Sequence, residues 1–214
     1  MPLEALLKYM EIRSIPWEQT IPLRHKVLWP NMLHYKSSII FLLTSSLLGC
    51  SAAGVMSTND PSTKISQAYE LKSMSRPIPA QKLLQEALVI YKNEMNKQGE
   101  ANVYLGFGDL YKSESYQSQA EIFKGWGEYQ SYANAADYYL KAGVIFKGKK
   151  DYWSLSRVYG SAGDAYILGG DVNKSCSLYN KVEETFNAHQ STFTSEQIEF
   201  TESLLRDFHL SFEC

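Results

Sequence analysis

Two hydrophobic patterns divide this chain of 214 residues. Residues 37–48 (SSIIFLLTSSLL) carry no charge, and their centre is apolar on every side of a helix, unlike the single stripe of a surface helix. From about residue 63, apolar residues recur at spacings of three and four, which predicts amphipathic helices in close succession. No alternating pattern indicates a strand, and the sequence therefore predicts an all-α domain.

The uncharged run has the length and the flanking residues of a secretory signal. It spans about twelve residues, whereas a membrane-crossing helix needs roughly 20. Lys36 precedes it, and the small residue Gly49 and then Cys50 follow it, which is the order of basic region, apolar region and cleavage site. A buried core helix or an uncleaved anchor is the alternative.

The end of the run, Leu47-Leu48-Gly49-Cys50, resembles the lipobox of bacterial lipoproteins. The resemblance implies cleavage between Gly49 and Cys50, a covalent lipid on Cys50 and a lipid-anchored protein of the cell envelope. The next residue is Ser51 rather than an aspartate, which resembles the signal for sorting to the outer membrane. The protein would then face the periplasm from the outer membrane if the cell is Gram-negative of the enteric type. Leu48 departs from the family, which more often has a small residue there.

The stretch before Cys50 is long for a signal peptide, which usually has roughly 15–30 residues. A start at Met32 gives ordinary length, and residues 1–31 would then be untranslated; a genuine extension, cut into short pieces by prolines, is the alternative. The expected organisation is an extension over 1–31, a signal peptide over 32–49, a flexible tether over 50–62 and a helical domain over 63–214.

The helical part repeats itself at one constant offset along the chain. Residues 87–92 (ALVIYK) match 142–147 (AGVIFK), and the Gly-Asp-x-Tyr sequence that begins at Gly108 recurs at Gly163. Chance matches would not keep one register through two helices and a loop. Repeats of this size imply stacked helix pairs, because one pair cannot bury its hydrophobic face alone.

The repeated residues resemble the tetratricopeptide repeat family. The first-helix pattern of an aromatic, an apolar, a glycine and an aromatic residue is met by Tyr104, Phe107, Gly108 and Tyr111, and by Tyr159, Ala162, Gly163 and Tyr166. The second-helix pattern of small, aromatic and small residues is met by Ala135, Tyr139 and Ala142, and by Ser175, Tyr179 and Val182. The gaps from one repeat to the next resemble those of the family's longer variants, and the proline that often ends a repeat is absent.

The resemblance implies a right-handed solenoid of helical hairpins with about three repeats, the first inferred over 62–95. A capping box at Thr194–Gln197 predicts a C-terminal capping helix after them. The family's inner surface holds peptides or partner helices on its first helices. The implied groove residues are Asn102, Leu105, Asp109, Lys112, Arg157, Asp164 and Ile167.

The middle repeat contains an insertion, because the stretch from Tyr111 to Ala135 is far longer than the equivalent stretch from Tyr166 to Ser175. We expect it to extend both helices of the repeat, with a turn near Gly125 or Gly127. Insertions in solenoids often lie on a binding face. The candidate docking residues are Tyr116, Phe123, Trp126 and Tyr129; alternatively, these aromatic side chains cover one another.

The net charge of the chain and the spacing of its potentially catalytic or metal-binding residues limit the classes of function that it can have. From Cys50 onward the chain has 16 Lys and Arg against 20 Asp and Glu, a net charge of about −4, and the one basic block lies at 147–150, so nucleic acid is not an expected partner. No histidine lies at metal-ligand spacing, and no nucleophile or phosphate-binding motif occurs. We therefore expect no enzymatic activity, metal, cofactor or small-molecule substrate. Whether Cys176 and Cys214 pair stays open.

The sequence favours a membrane-anchored envelope lipoprotein that acts as a scaffold or adaptor for a protein or peptide partner. One alternative is an accessory regulatory subunit of an envelope enzyme or of a secretion or assembly machine. A weaker alternative is a cytoplasmic repeat protein in which residues 37–50 form a buried helix.

Overall fold

The computed structural model describes residues 57–119, 130–212 and 214, all of which belong to a compact unit that spans 51–214. Every regular element in these ranges is helical, which confirms the predicted all-α fold. The predicted extension over 1–31, the predicted signal peptide over 32–49 and the predicted tether up to residue 56 lie outside the described residues.

Eight α-helices make up the described part of the chain. They are α1 (Pro61–Ser73), α2 (Pro77–Asn93), α3 (Lys97–Lys112), α4 (Glu114–Gln117), α5 (Tyr132–Gly148), α6 (Tyr152–Leu168), α7 (Val172–His189) and α8 (Ser195–Ser211), with a short 3-10 turn at Gln190–Thr192 between the last two.

The helices pack as three consecutive hairpins. Helix α1 pairs with α2, α3 with α5, and α6 with α7; each hairpin then packs on the next through α2 with α3 and α5 with α6. Helix α8 lies against α7 at the end of the stack. The three predicted repeats and the capping helix are thus confirmed. We call α1, α3 and α6 the A helices, and α2, α5 and α7 the B helices.

The first repeat begins slightly earlier than expected. Asp60 caps α1 by accepting a hydrogen bond from the Thr63 backbone nitrogen at 2.8 Å, and Pro61 occupies the first helical position, where a missing N–H does no harm. The last two residues of the predicted tether therefore belong to the helix.

Three of the turns between helices share one construction. A residue with positive φ follows the end of the preceding helix, as at Met95 (φ 54°), Lys150 (φ 58°) and Gly170 (φ 82°). The next residue is an acid or amide, and its side chain caps the following helix. The capping residues are Asn96, Asp151 and Asp171. A left-handed residue followed by a cap reverses the chain in very few residues.

Glycine at one position of each later A helix lets the hairpin close tightly. A Cβ atom placed on Gly108 would lie 2.7 Å from Cε1 of the Tyr139 ring, and one on Gly163 would lie 2.7 Å from Cε2 of Tyr179. Both distances are too short for a carbon contact. The glycines therefore allow each tyrosine ring to lie directly on the backbone of its partner helix, as the repeat pattern predicted.

The insertion does not extend its neighbouring helices, and that expectation is wrong. Helix α3 ends at Lys112, whose equivalent in the next repeat is Ile167 near the end of α6, and α5 begins at Tyr132, whose equivalent is Val172 at the start of α7. The inserted residues instead follow Lys112 as a separate segment that begins with the four-residue helix α4. The predicted turn at Gly125 or Gly127 lies outside the described residues.

A disulfide joins Cys176 in α7 to Cys214 at the chain end, with the two Cα atoms 5.6 Å apart. The capping box predicted for α8 is present, because the Thr194 hydroxyl accepts from the Gln197 nitrogen and the Gln197 side chain accepts from the Thr194 nitrogen. The question of pairing that the sequence left open is thus answered by the fold, which brings the two cysteines together.

We predict that Gly163→Ala lowers the free energy of unfolding by about 1–3 kcal/mol, because the added methyl group must displace the Tyr179 ring from a packed core. The matched control is Gly148→Ala at the end of α5, where nothing lies within 4 Å of the new carbon. This control is expected to be neutral or stabilising by up to about 1 kcal/mol. Urea unfolding of both variants measures the difference, and equal effects would contradict the close packing.

Candidate functional site

The three A helices share one surface of the stack. Successive A helices contact each other more extensively than successive B helices do, as expected when A helices line the inner side of a curved stack. On α3, the predicted groove residues follow one helical stripe at spacings of three and four. The stripe comprises Asn102, Leu105, Asp109 and Lys112, and Arg157, Asp164 and Ile167 stand on α6.

Asp109 joins three helices. Its Oδ2 accepts a hydrogen bond from the Tyr69 hydroxyl of α1 at 2.8 Å, and its Oδ1 accepts one from the Tyr139 hydroxyl of α5 at 2.5 Å. Hydrogen bonds to a carboxylate are stronger than those between neutral groups. This one carboxylate therefore ties the A helix of the first repeat to both helices of the second.

Asp164 has the same role one repeat later. Its Oδ1 accepts a hydrogen bond from the Tyr179 hydroxyl of α7 at 2.6 Å, and its Oδ2 lies 3.6 Å from Nζ of Lys112 on α3. Each aspartate thus holds the tyrosine of its own B helix and one side chain of the preceding A helix. The arrangement forms a polar ladder (Tyr69, Asp109, Tyr139, Lys112, Asp164 and Tyr179) that crosses the A-helix surface.

The ladder raises the pKa of its tyrosines. Burial raises the pKa of Tyr69, Tyr139 and Tyr179 far above the usual value of 10.0, and the neighbouring carboxylate of Asp109 or Asp164 raises each further. The cause is that a phenolate would lose its hydration and face a like charge. All three hydroxyls therefore remain protonated donors at neutral pH.

Cations lie over aromatic rings along the same surface. Nζ of Lys72 lies 4.9 Å from the centre of the Tyr69 ring, Nζ of Lys112 lies 5.4 Å from that of Tyr139, and the guanidinium carbon of Arg157 lies 5.8 Å from that of Trp153. The positive charge of Arg157 also opposes the rise in the pKa of Tyr69. Groups from α1, α3 and α6 therefore interact electrostatically along one surface of the stack.

The remaining groove residues are open to solvent to different degrees. Asn102 and Arg157 are exposed, whereas Leu105 and Ile167 are partly buried. The Asn102 Oδ1 accepts from Nε2 of Gln98, one turn away, at 3.4 Å. The groove residues thus lie on A helices, where the sequence placed them, but the sequence could not say which of them bond to each other.

Tyr116 is not available for docking, and that part of the prediction is corrected. Its side chain is fully buried, its ring centre lies 4.8 Å from that of Tyr111, and its hydroxyl accepts from the Gln130 backbone nitrogen at 3.1 Å. The ring belongs to the core because α4 lies against the end of α3, where Tyr116 contacts Tyr111. The other predicted docking residues Phe123, Trp126 and Tyr129, and the predicted cleavage and lipid residues Gly49 and Cys50, lie outside the described residues.

Tyr69 belongs to the site but was not predicted from the sequence. Its hydroxyl bonds to Asp109 of the next repeat, and its own position in the first repeat is one that holds an aspartate in the two later repeats. Aligning the first repeat with the later ones places Tyr69 at the aspartate position, but it does not show that the hydroxyl reaches Asp109. The hydrogen bonds from Tyr139 and Tyr179 were also missed, because the family pattern assigns those rings to packing alone.

The described ranges offer no group of three or more His, Cys, Asp or Glu side chains that could hold a metal ion. Within those same ranges, no helix combines the length and the apolar character that a membrane crossing requires. The aspartates at the groove are bonded to phenols and a lysine rather than arranged as a ligand set.

The chain was compared with known proteins. No family model matches the sequence, and no curated protein matches it either. Among solved structures, it is similar to the crystal structure of the TPR domain of Arabidopsis FLU, with 17% sequence identity and a TM-score of 0.45 over 60% of this chain and 95% of that chain. The assignment of the fold and of the candidate site rests on the three hairpins of this chain and not on that likeness.

We predict that stability falls as the pH rises above about 10. The pKa of Tyr139 is raised by folding, so the folded protein keeps a proton that the unfolded chain releases. The contribution of this group to the free energy of unfolding is complete below pH about 10 and is lost above it, at up to about 1.4 kcal/mol per pH unit. Urea unfolding measured between pH 8 and pH 11.5 gives the slope.

Tyr139→Phe and its repeat equivalent Tyr179→Phe test the origin of this slope. Each variant should lose about 1–3 kcal/mol at pH 8, because a hydrogen bond to a carboxylate is removed, and should show a shallower alkaline slope than the wild type. If the two variants keep the wild-type slope, the tyrosines of the ladder do not cause the loss.

Proposed function

We propose that the protein is an interaction scaffold whose A-helix groove binds an extended peptide or a partner helix. The polar ladder carries this proposal. It fixes charged and hydrogen-bonding groups from three helices on one shared surface, and rigid placement lowers the entropy cost of binding. Exposed side chains beside the ladder then supply the contacts to the partner.

Two exposed side chains of the groove are suited to bind a peptide. Arg157 makes no ion pair with any residue that the structure describes, so its guanidinium can bind a carboxylate from an acidic side chain or a chain terminus. Asn102 uses its carbonyl oxygen to accept from Gln98, which leaves its amide nitrogen to donate to a peptide carbonyl. Asp109 and Asp164 are occupied within the ladder and act as supports.

A shallow depression beside the ladder lies between α1, α2 and α3. It is lined by Ala68, Tyr69, Lys72, Leu84, Gly106 and Leu110. It has room for about one water molecule, so the proposed peptide contacts rest on the exposed side chains of the groove.

For the cellular location, we propose that the protein is anchored in the cell envelope by a lipid on Cys50. The lipobox-like ending at Gly49-Cys50 is its main support. The Cys176–Cys214 disulfide supports it independently, because disulfides persist mainly in oxidising compartments outside the cytoplasm. The cytoplasmic alternative is disfavoured for the same reason. The accessory-subunit alternative loses Tyr116 as a docking residue.

We predict that Arg157→Ala weakens partner binding by about tenfold, the effect of losing one charge-assisted hydrogen bond. The measurement is quantitative co-purification of cross-linked partners from the native cell, followed by titration of the partner recovered. Because Arg157 is exposed, the variant should unfold within about 0.5 kcal/mol of the wild type.

The matched control is Arg206→Ala, which removes an exposed arginine from α8, a helix outside the three hairpins. A partner retained by Arg206→Ala and lost by Arg157→Ala would support the groove. Equal retention by both variants would mean that the A-helix groove is not the binding surface.

The lipid anchor is tested by metabolic labelling with a fatty-acid analogue in a bacterial host. We predict that the wild type takes up label and that Cys50→Ala does not, because the thiol is the acylated group. Expression from Met1 and from Met32 shows which start yields the processed protein. A wild type that remains unlabelled from either start but folds as a soluble protein would contradict the lipoprotein proposal while leaving the groove untouched.

A further inference from the structure

The capping helix α8 is held to the stack by few side chains. Only Thr201 and Phe208 are buried among the 17 residues of the helix. The Phe208 ring stacks on the Tyr179 ring with the centres 3.6 Å apart, whereas the Thr201 hydroxyl bonds to the Gln197 carbonyl within α8 itself. A single stacked ring is therefore the main buried contact between α8 and its neighbour.

The other contacts of α8 are made by side chains that are exposed or only partly buried. Leu204 lies over the backbone of Gly160, and Phe200, which is 52% exposed, meets the Trp153 ring edge-on at 5.6 Å. His209 and Glu183 lie 3.9 Å apart with both side chains about half exposed, so solvent screens their interaction. Contacts of this kind are easily exchanged for water, which leaves α8 dependent on a further attachment.

The covalent bond supplies that attachment at the far end of the helix. Cys214 lies three positions after the last residue of α8 and pairs with Cys176 in the second turn of α7, across 38 positions of sequence. Cys214 is exposed and Cys176 partly exposed, so a dithiol can approach the bond from solvent. Cross-linking the end of the chain prevents the last helix from fraying outward.

We propose that the Cys176–Cys214 disulfide is a redox-sensitive latch that holds α8 on the open end of the helical stack. A dithiol reductant transfers two electrons and two protons to the bond, which yields two thiols while the reductant closes to its own disulfide. Helix α8 then separates from α7 and uncovers the Tyr179 and Trp153 rings. The three hairpins stay folded, because α6 and α7 pack on each other through their own buried side chains.

Hydrogen exchange measured by mass spectrometry tests the latch in the full chain carrying Cys50→Ala, which removes the third thiol. With a dithiol reductant, amides of α8 should lose protection at least tenfold, while those of α3, α5 and α6 keep theirs. Cys214→Ser and Cys176→Ser should each reproduce the loss without reductant. Reductant added to either variant should cause no further change, which shows that it acts through this bond.

Two results would overturn the proposal. If α8 keeps its protection after reduction and in both serine variants, its packing alone holds it and the bond is not a latch. If protection is instead lost throughout the hairpins, the bond supports the whole fold rather than the last helix.

Discussion

The close approach of a tyrosine ring to a glycine backbone holds each of the two later hairpins together. Gly108 and Gly163 leave space for the rings of Tyr139 and Tyr179, and the adjacent aspartate accepts the hydroxyl of the same ring. One side chain thus fills the helix interface with its ring and satisfies a carboxylate with its hydroxyl. A methyl group on the glycine would displace both contacts at once, so packing and hydrogen bonding here are inseparable.

The same residues join the fold to the candidate function. Asp109 and Asp164 hold the hairpins closed, and their second oxygen atoms reach back to Tyr69 and Lys112 of the preceding A helix. The groove chemistry is therefore built from groups that also fix the spacing of the repeats. In the function that we propose, the exposed side chains beside these internally bonded carboxylates contact the partner, with Arg157 foremost.

The two ends of the described stack are capped in different ways. At the start, Asp60 and Pro61 begin α1 with its own cap, and the first repeat replaces the glycine and tyrosine of the later ones with Ala68 and Leu84. At the other end, α8 supplies a capping helix with little buried surface and a covalent bond to α7. Terminal repeats need a polar outer face for solubility. Helix α8 provides this face, and it packs on the stack through few apolar contacts.

The sequence by itself determined the all-α class, the three repeats and the capping helix, because helical periodicity, glycine positions and capping boxes act locally and recur at fixed offsets. The resemblance to tetratricopeptide repeats, rather than a spacing, assigned Asp109, Lys112, Arg157 and Asp164 to one surface of the A helices. Only the tertiary structure decided that those aspartates are occupied by tyrosines and a lysine, that Tyr116 is buried and that Cys176 meets Cys214. Such contacts join residues distant in sequence, and their distances follow from how the helices pack rather than from any local pattern.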